Sequence, residues 1–295
     1  MERVEARLLV DCRNLLGEGV QWRIADQRVY WTDIHGSRLL SCREDGSDLR
    51  VLELPERLGC FAFDPDGMLV AAFASGFWRF DPASGRRDLL AAVQPDIVST
   101  RMNDGRCDPA GRLIAGGIDE DGVKPIAEVL SFDGTAAKTL ISGVGCSNSI
   151  AFSGDGRRMY FADSPTRQIL AYAYDPATGV LGERRVFAVL SPDEGVPDGS
   201  CVDAEDGLWN ARYGGACVQR YLPDGTPDLR VDLPVSNVTC ACFGGANLDK
   251  LFITTSSVDL SEQERTAQPT AGGLYIAETG HKGRPEQEFA RRVFA

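Results

Sequence analysis

The chain has 295 residues, of which 43% are hydrophobic and 25% charged, and these proportions are typical of a soluble globular protein without disordered tracts. Its net charge of -12 repels phosphate backbones and anionic bilayers, so the composition argues against nucleic acid and membrane partners. The length admits either two ordinary domains or one large domain built from repeats.

The sequence shows no targeting or membrane signal. It has no run of about 18 apolar residues, and acidic side chains occur near the start, where a secretory signal would be basic. Nine cysteines are scattered between Cys12 and Cys242, a pattern that suits neither a disulfide framework nor a zinc site. Cys240 and Cys242 alternate on one face of a strand, which favours buried packing. We therefore expect a cytoplasmic protein with reduced cysteines.

One pattern recurs along the chain: a short apolar segment, a tight turn rich in Asp, Gly and Pro, and then an aliphatic or aromatic strand. Six copies occur in chain order, at 21–31, 63–72, 107–116, 152–161, 202–209 and 243–252. Equivalent residues of successive copies are 39, 44, 47, 48 and 43 residues apart, which is the period of a four-stranded propeller blade.

Each copy is followed by a further strand, and no long amphipathic helix intervenes. These strands are predicted at 38–42, 76–80, 128–132, 169–174, 218–221 and 273–276. A single four-stranded blade cannot bury both of its faces, so six blades must stack around an axis and close on themselves. The sequence predicts an all-β, six-bladed β-propeller of antiparallel blades, with one domain over 1–295. A parallel β-helix is disfavoured because its repeats are shorter than about 30 residues.

Closure of the ring is expected to involve both ends of the chain. Residues 3–10 should supply a strand that completes the last blade. That strand is expected to follow the C-terminal segment 288–294 in the sheet, which would seal the ring.

Only two histidines occur, His35 and His281, and neither has a spacing suited to a catalytic triad or a metal site. We expect surface or turn roles for both, which argues against a Ser-His-Asp hydrolase and most zinc hydrolases. The glycine-containing segment 143–148 is not followed by a helix signal, so it is a poor phosphate-binding loop.

Oxygen-bearing side chains precede several of the repeat turns, where a propeller would deliver them to one end of its central channel. Glu18, Asn148 and Asp198 occupy roughly equivalent positions in different blades. Together they form an all-oxygen set suited to calcium, magnesium or manganese, with room for water and substrate. Taken singly, each is an ordinary turn residue, so a purely structural role stays open at this point.

Several linked motifs between Leu16 and about Ser256 resemble those of the SMP-30/gluconolactonase/regucalcin-like family. They are LGEG at 16–19, WTDI at 31–34, RMNDGRCDPAGR at 101–112, SN at 147–148, VPDGSCVD at 196–203 and TCACFGG at 239–245. The resemblance implies a propeller that hydrolyses a sugar lactone with one divalent metal. By position, it implies that Glu18, Asn148 and Asp198 hold the metal and that Arg101 and Asn103 bind the lactone.

Local chemistry agrees with the role implied for Arg101 and Asn103. In an extended segment the two side chains point to the same side, so both could reach one ligand. Without the resemblance, Arg101 would be interpreted as a surface residue. In addition, the acidic loop 119–122 falls where the family places a segment that covers the substrate.

Two further interpretations remain open for residues near the expected pocket. One of Asp119 and Glu120 is expected to touch sugar hydroxyl groups, with an exposed, solvated turn as the structural alternative. For Tyr213, a place in the pocket wall and packing within a blade are both possible from the sequence.

The chain departs from the family pattern at three places near the expected pocket. Val20 and Gln21 stand where relatives usually have Pro-Val, and Ser149 stands where they commonly have Gly. Residues 116–118 read Gly-Gly-Ile where many relatives have Gly-Thr-Met. These changes bear on substrate identity more than on metal binding.

The resemblance implies hydrolysis of a pentono- or hexonolactone to the linear aldonic acid in carbohydrate catabolism, with the metal as Lewis acid and Asp198 as general base. One divalent ion is expected, among Ca, Mg, Mn, Zn and Fe(II), with a small sugar lactone as partner. The alternative is a calcium-binding regulatory propeller without turnover, which would have no use for Arg101 and Asn103. An interaction scaffold or another hydrolase, such as an organophosphate or aryl esterase, is a further alternative. We expect a monomer or weak homodimer.

Overall fold

The computed structural model describes residues 1–290 and arranges six β-sheets in a ring. Each sheet has four antiparallel strands, which are consecutive in the chain in five of the sheets, and one of these five has an additional parallel strand at its outer edge. This architecture confirms the six-bladed β-propeller predicted from the repeats.

The strands are numbered along the chain. The first two are β1 (Glu2–Glu5) and β2 (Arg7–Val10). Blade 1 contains β3 (Gly17–Arg23), β4 (Arg28–Asp33), β5 (Arg38–Cys42) and β6 (Arg50–Glu53), and blade 2 contains β7 (Leu58–Phe63), β8 (Leu69–Phe73), β9 (Gly76–Phe80) and β10 (Arg87–Ala92). Blade 3 contains β11 (Thr100–Cys107), β12 (Leu113–Asp119), β13 (Ala127–Phe132) and β14 (Ala137–Val144), and blade 4 contains β15 (Ser147–Phe152), β16 (Arg158–Asp163), β17 (Gln168–Asp175) and β18 (Val180–Val189). Blade 5 contains β19 (Val196–Val202), β20 (Leu208–Tyr213), β21 (Cys217–Tyr221) and β22 (Pro227–Asp232), and blade 6 contains β23 (Val238–Gly244), β24 (Lys250–Thr255) and β25 (Leu274–Glu278).

The turns of the repeated pattern are built around an aspartate that follows the first strand of a blade. Asp64 Oδ1 accepts hydrogen bonds from the backbone N–H groups of Asp66 at 2.9 Å and Met68 at 3.0 Å. Asp108 Oδ1 accepts the equivalent bond from Arg112 at 2.8 Å. Aspartate side chains stabilise tight turns in this way. The repeats therefore mark the hairpins between the first two strands of a blade.

The hydrophobic core is divided into layers that lie between neighbouring blades. In one layer, Leu39 of blade 1 packs with Phe61 and Phe63 of blade 2. In another, the rings of Trp209 in blade 5 and Phe243 in blade 6 meet edge to face at 5.3 Å. Because each blade face is covered by the next blade, the repeats are stable only as a stacked ring.

The N-terminal strands complete the ring. β2 pairs antiparallel with β25, with Leu8 opposite Tyr275, and is the outermost strand of blade 6. The prediction that the N-terminus completes the last blade is confirmed for this strand. β1 instead runs parallel to β22, with Val4 opposite Val231, and extends blade 5.

The predicted C-terminal strand at 288–294 is wrong for its described part, 288–290. β2 pairs directly with β25, the strand predicted at 273–276, and residues 288–290 form no strand. They cross blades 2 and 3 instead, where Phe289 N donates to Phe63 O at 2.8 Å and Ala290 N donates to Gly111 O at 2.8 Å. The remaining residues of the predicted strand, 291–294, lie outside the described residues. We call residues 280–290 the C-terminal strap.

Helical structure is a minor part of the fold. Between β24 and β25 the chain makes an excursion that carries α1 (Glu262–Ala267), and two single 3-10 turns occur at Ser164–Thr166 and Pro192–Glu194. Within residues 1–290, no helix has the length and apolar character needed to cross a membrane.

Candidate functional site

The innermost strands share a distortion that sets the direction of their side chains. In all six blades the pairing between the first and second strands skips residues near the start of the first strand. Such β-bulges leave residues unpaired and redirect side chains, and they are common beside active sites. Glu18 and Asn148 are the last paired residues before the bulges of β3 and β15, and Asp198 lies within the bulge of β19.

The three predicted metal ligands therefore lie inside strands, and their interpretation as ordinary turn residues is wrong. All three side chains are buried, with exposed fractions of 4% for Glu18, 4% for Asn148 and 5% for Asp198. The bulges explain the difference, because a Gly or Ser after each ligand favours a turn in the sequence but here forms the bulge.

Glu18 and Asp198 are brought together although 180 positions separate them (198 minus 18). Their carboxyl groups are close enough for each to shift the pKa of the other. Burial, and then the charge of Asp104, raise the pKa of Glu18 to about 8. Burial, and then the charge of Glu18, raise the pKa of Asp198 well above its usual value. The site concentrates negative charge away from water, an arrangement that a bound cation would stabilise.

Asp104 is a third carboxylate at this site, and the sequence analysis missed it. It is buried, and its Oδ2 accepts a hydrogen bond from the backbone N–H of Ile150 at 2.8 Å. Its charge acts on both Glu18 and Asp198. Simple alternation would turn Asp104 away from its neighbour Asn103, but both residues lie in the bulge of β11.

Asn148 and Asn103 form the amide side of the site. Asn148 Nδ2 donates to Ser164 Oγ at 2.8 Å, and this bond leaves Oδ1 as the group that faces Asn103. Asn103 Nδ2 donates to Ser147 O at 2.9 Å and lies 3.3 Å from Asn148 Oδ1. These bonds join blades 3 and 4 and orient an amide oxygen beside the carboxylates.

Arg101 lies next to Asn103, as the alternation of the strand predicted. Its Nη1 donates to Asn103 Oδ1 at 2.7 Å and to Met102 O at 3.0 Å, and its Nε donates to Glu120 Oε1 at 2.8 Å. Only 3% of the Arg101 side chain is exposed, so the interpretation as a surface residue is wrong. Nη2 of Arg101 has no hydrogen-bond partner among the described residues, so it can donate to a ligand.

Asp119 and Glu120, the two candidate residues at the end of β12, have different surroundings. Glu120 Oε1 also accepts a 2.7 Å bond from Arg57, and although burial opposes it, the charges of Arg101 and Arg57 lower the pKa of Glu120 overall. Asp119 is buried, and its Oδ2 accepts a hydrogen bond from the backbone N–H of Lys124 at 2.8 Å. Glu120 is therefore placed beside the proposed lactone-binding pair, while Asp119 holds its own loop together.

Tyr213 connects β20 to the excursion that carries α1. Its hydroxyl group donates to Asp259 Oδ2 at 3.0 Å and to Val258 O at 3.2 Å. The charge of Asp198 reaches Tyr213, so this residue lies near the carboxylate site as well as anchoring the excursion.

The two histidines are in different places. Partial burial, and then the charge of Arg101, lower the pKa of His35, which keeps its imidazole neutral at pH 7. His281 Nδ1 lies 3.1 Å from Glu205 Oε2, in a group with Asp203 whose ligand atoms are close enough to surround an ion. Arg220 donates to Asp203 at 2.7 Å and to Glu205 at 2.9 Å, so both carboxylates already pair with one protein cation.

The two cysteines that alternate in β23 are packing residues. All nine cysteines are free, and Cys240 and Cys242 are buried, as predicted for packing residues. Burial raises the pKa of both thiol groups well above the usual value. A protonated, buried thiol is neither a good nucleophile nor a good metal ligand.

The donor set fits a hard divalent cation. Glu18, Asn148 and Asp198 offer only oxygen atoms, the ligand type that Ca²⁺, Mg²⁺ and Mn²⁺ prefer. Asp198 Oδ1 is buried and has no hydrogen-bond partner among the described residues. A buried, unpaired carboxylate oxygen is costly, and coordination of a cation would satisfy it.

Comparison with known proteins agrees with this geometry. An L-arabinolactonase of Azospirillum brasilense is 42% identical, with 97% of this chain and 96% of that protein covered. A pentonolactonase of Haloferax volcanii is 35% identical over 94% of this chain and 96% of that protein. The crystal structure of a calcium-binding protein, regucalcin, from Agrobacterium tumefaciens superposes with a TM-score of 0.94 at 29% identity, covering 98% of this chain and 99% of that one.

The sequence profile of the SMP-30/Gluconolactonase/LRE-like region matches residues 16–257. The match begins just before the strand that carries Glu18 and ends just after β24. It therefore spans every residue of the carboxylate site and its arginine neighbour. This chain belongs to the SMP-30/gluconolactonase/LRE-like family.

Proposed function

We propose that this protein hydrolyses a sugar aldonolactone, with a five- or six-carbon chain, to the linear aldonic acid. The observation that carries the proposal is the proximity of two different kinds of group. Glu18 and Asp198 form a buried carboxylate pair, and the charge of Arg101, which is hydrogen-bonded to Asn103, acts on Glu18. The similarity to an L-arabinolactonase and a pentonolactonase supports lactones as the substrate class.

Glu18, Asn148 and Asp198 would hold one divalent cation through oxygen atoms. When bound, this cation supplies Lewis-acid polarisation of the lactone carbonyl. The choice among Ca, Mg, Mn, Zn and Fe(II) depends on availability in the cell as well as on ligand type.

Asp198 is the general base in this proposal. As a water oxygen bonds to the carbonyl carbon, Asp198 accepts a proton from that water. The bond between the carbonyl carbon and the ring oxygen then breaks, and the ring oxygen takes up the proton to become a hydroxyl group. Atoms and charge balance, since one lactone and one water give one aldonic acid, which then ionises.

Arg101 and Asn103 bind and orient the lactone. Arg101 is fixed by Glu120 on one side and by Asn103 on the other, so its free Nη2 has a defined direction. Positive charge there can share the negative charge that develops on the carbonyl oxygen. Glu120 can accept hydrogen bonds from sugar hydroxyl groups at the same place.

The test is a lactonase assay with a pH indicator on a panel of aldonolactones. Chelator-stripped protein is compared with and without each of the five metals. We expect turnover to be restored by a metal, and the Asp198→Ala variant to lose at least about 100-fold in kcat. Asp224→Ala, in the turn between β21 and β22, is the matched control and should retain activity. Binding of a metal without turnover of any lactone would contradict the proposal.

A calcium-binding protein without turnover is the second candidate. The observation in its favour is the similarity to a regucalcin that is described as a calcium-binding protein. The same three ligands would serve it, but the fixed Arg101 would have no function. Under this alternative, Arg101→Ala leaves calcium affinity unchanged and no lactone is opened.

A further inference from the structure

Ser149 has a backbone conformation that serine rarely adopts. It follows Asn148 in the bulge of β15, and its φ is 60°, in the left-handed region that favours glycine. The side chain is fully buried. A non-glycine residue held in this region costs stability, so its hydroxyl group is expected to have a compensating contact.

That contact is with the backbone of Asp198. Ser149 Oγ donates to Asp198 O at 2.8 Å, across the boundary between blades 4 and 5. Asn210 Nδ2 donates to the same carbonyl oxygen at 2.9 Å and to Ser149 Oγ at 2.8 Å. Ser200 Oγ lies 3.0 Å from both Ser149 Oγ and Asn210 Nδ2. Two side chains therefore hold one carbonyl group.

This carbonyl group needs such partners because of the bulge in β19. The pairing between β19 and β20 passes from Pro197 directly to Ser200, so Asp198 and Gly199 have no opposite residues. The polar network supplies the contacts that the sheet does not. Loss of both bonds would leave this part of the Asp198 backbone without the contacts that fix its position, and the carboxylate moves with that backbone.

We propose that Ser149 is a positioning residue for Asp198. Asn210 assists it by donating to Ser149 and to the same carbonyl oxygen. Ser149 touches neither substrate nor cation in this arrangement and acts only through the backbone of Asp198. The inference rests on the proposed function, in which Asp198 is both ligand and base.

The test variant is Ser149→Gly, because glycine adopts the left-handed conformation freely and the fold is not strained. Isothermal titration with Mn²⁺ alone and with Ca²⁺ alone measures the affinity of the site without any substrate. Lactone kinetics then separate kcat from KM. The control is Ser41→Ala in β5, which removes a buried hydroxyl group that accepts a bond from Arg28, far from the site.

We expect Ser149→Gly to raise the Kd for Mn²⁺ by about 10-fold and to lower kcat by about 10-fold, with KM changed by less than about two-fold. Asn210→Ala should change Kd and kcat in the same direction. Ser41→Ala should change neither. The inference would be overturned if Ser149→Gly and Asn210→Ala both had the metal affinity and kcat of the parent. A lower Tm alone would then show that these residues have only a structural role.

The measurements also separate this inference from the proposed function. A parent protein that binds Mn²⁺ but opens no lactone contradicts the lactonase proposal, and the titration of Ser149→Gly still decides the inference. A parent protein that binds none of the five ions Ca, Mg, Mn, Zn and Fe(II) overturns both. Weakened binding in Ser149→Gly together with lactone turnover in the parent supports both.

Discussion

Arg101 donates from Nε to Oε1 of Glu120 at 2.8 Å, and this bond joins the two open ends of the β11–β12 hairpin. Arg57 from blade 2 donates to the same oxygen at 2.7 Å. The direction of the Arg101 side chain is therefore set by a residue of its own blade and supported by a neighbouring blade.

The first prediction concerns this carboxylate. Glu120→Gln keeps the shape of the side chain but removes the charge that holds Arg101, and hydrogen bonds to charged groups contribute about 1.5–3 kcal/mol. We expect KM for the lactone to rise at least about 10-fold, with a smaller change in kcat. Steady-state kinetics on the best substrate of the panel measure both. Asp121→Asn, at the exposed next position, is the control, and an unchanged KM in Glu120→Gln would refute this role.

The second prediction concerns the stability of the metal-free protein. The folded protein raises the pKa of Glu18 from 4.5 to about 8, so the folded state holds this proton more tightly than the unfolded chain. The resulting stabilisation is fully present below pH 4.5 and is lost as the pH rises towards 8. Glu18→Gln has no such loss, and we expect it to be more stable than the parent by on the order of 4 kcal/mol near pH 8.

Urea unfolding in the presence of a chelator, across the pH range, measures this difference. The gap between Glu18→Gln and the parent should shrink as the pH falls. Glu262→Gln on the exposed α1 is the matched control and should follow the parent. If the two proteins were equally stable at every pH, the folded protein would not raise the pKa of Glu18.

The third prediction concerns thiol reactivity. Burial raises the pKa of Cys12 to about 11 and the pKa of Cys42 to about 12, so both thiols stay protonated at pH 8. Native protein should therefore resist alkylation by iodoacetamide, since the thiolate is the reactive form. Mass spectrometry should find nine modified cysteines only after unfolding. Rapid modification of Cys12 in the native protein would contradict the prediction.

The fourth prediction concerns the C-terminal strap. Phe289 is fully buried and stacks on Phe132 with ring centroids 6.1 Å apart. Phe289→Ala should lower the free energy of unfolding by about 3 kcal/mol, because it leaves a cavity between blades 2 and 3. Chemical denaturation measures the loss. Gln287→Ala, an exposed neighbour, should have little effect, and equal stability of the two variants would show that the strap does not contribute to the core.

The sequence was sufficient to predict the blades because their hairpins depend on local turn chemistry. Asp64, Asp108 and Asp203 each accept backbone N–H groups within four residues of themselves, so the signal is contained in one short segment. The strands between these turns then follow from alternation. That the N-terminal strand completes the last blade was predicted because a ring of repeats must close, but its partner is β25 and not the segment 288–294.

The details of the site could not be predicted in the same way. A bulge changes which face of a strand a residue occupies, and alternation does not reveal where one occurs. Asp104 was missed for this reason, and Glu18, Asn148 and Asp198 were assigned to turns. The bond between Arg57 and Glu120 depends on how two blades stack, which no local pattern encodes.

The pairing of β2 with β25 has a consequence for the order of events during protein synthesis. β2 is made long before its partner β25, so it cannot pair until β25 has left the ribosome. Until then, the growing chain exposes an unpaired sheet edge at each end, and such edges can pair with other chains. Early termination before β25 should therefore give aggregation-prone fragments, and a protein of this design depends on either rapid completion or protection while it waits.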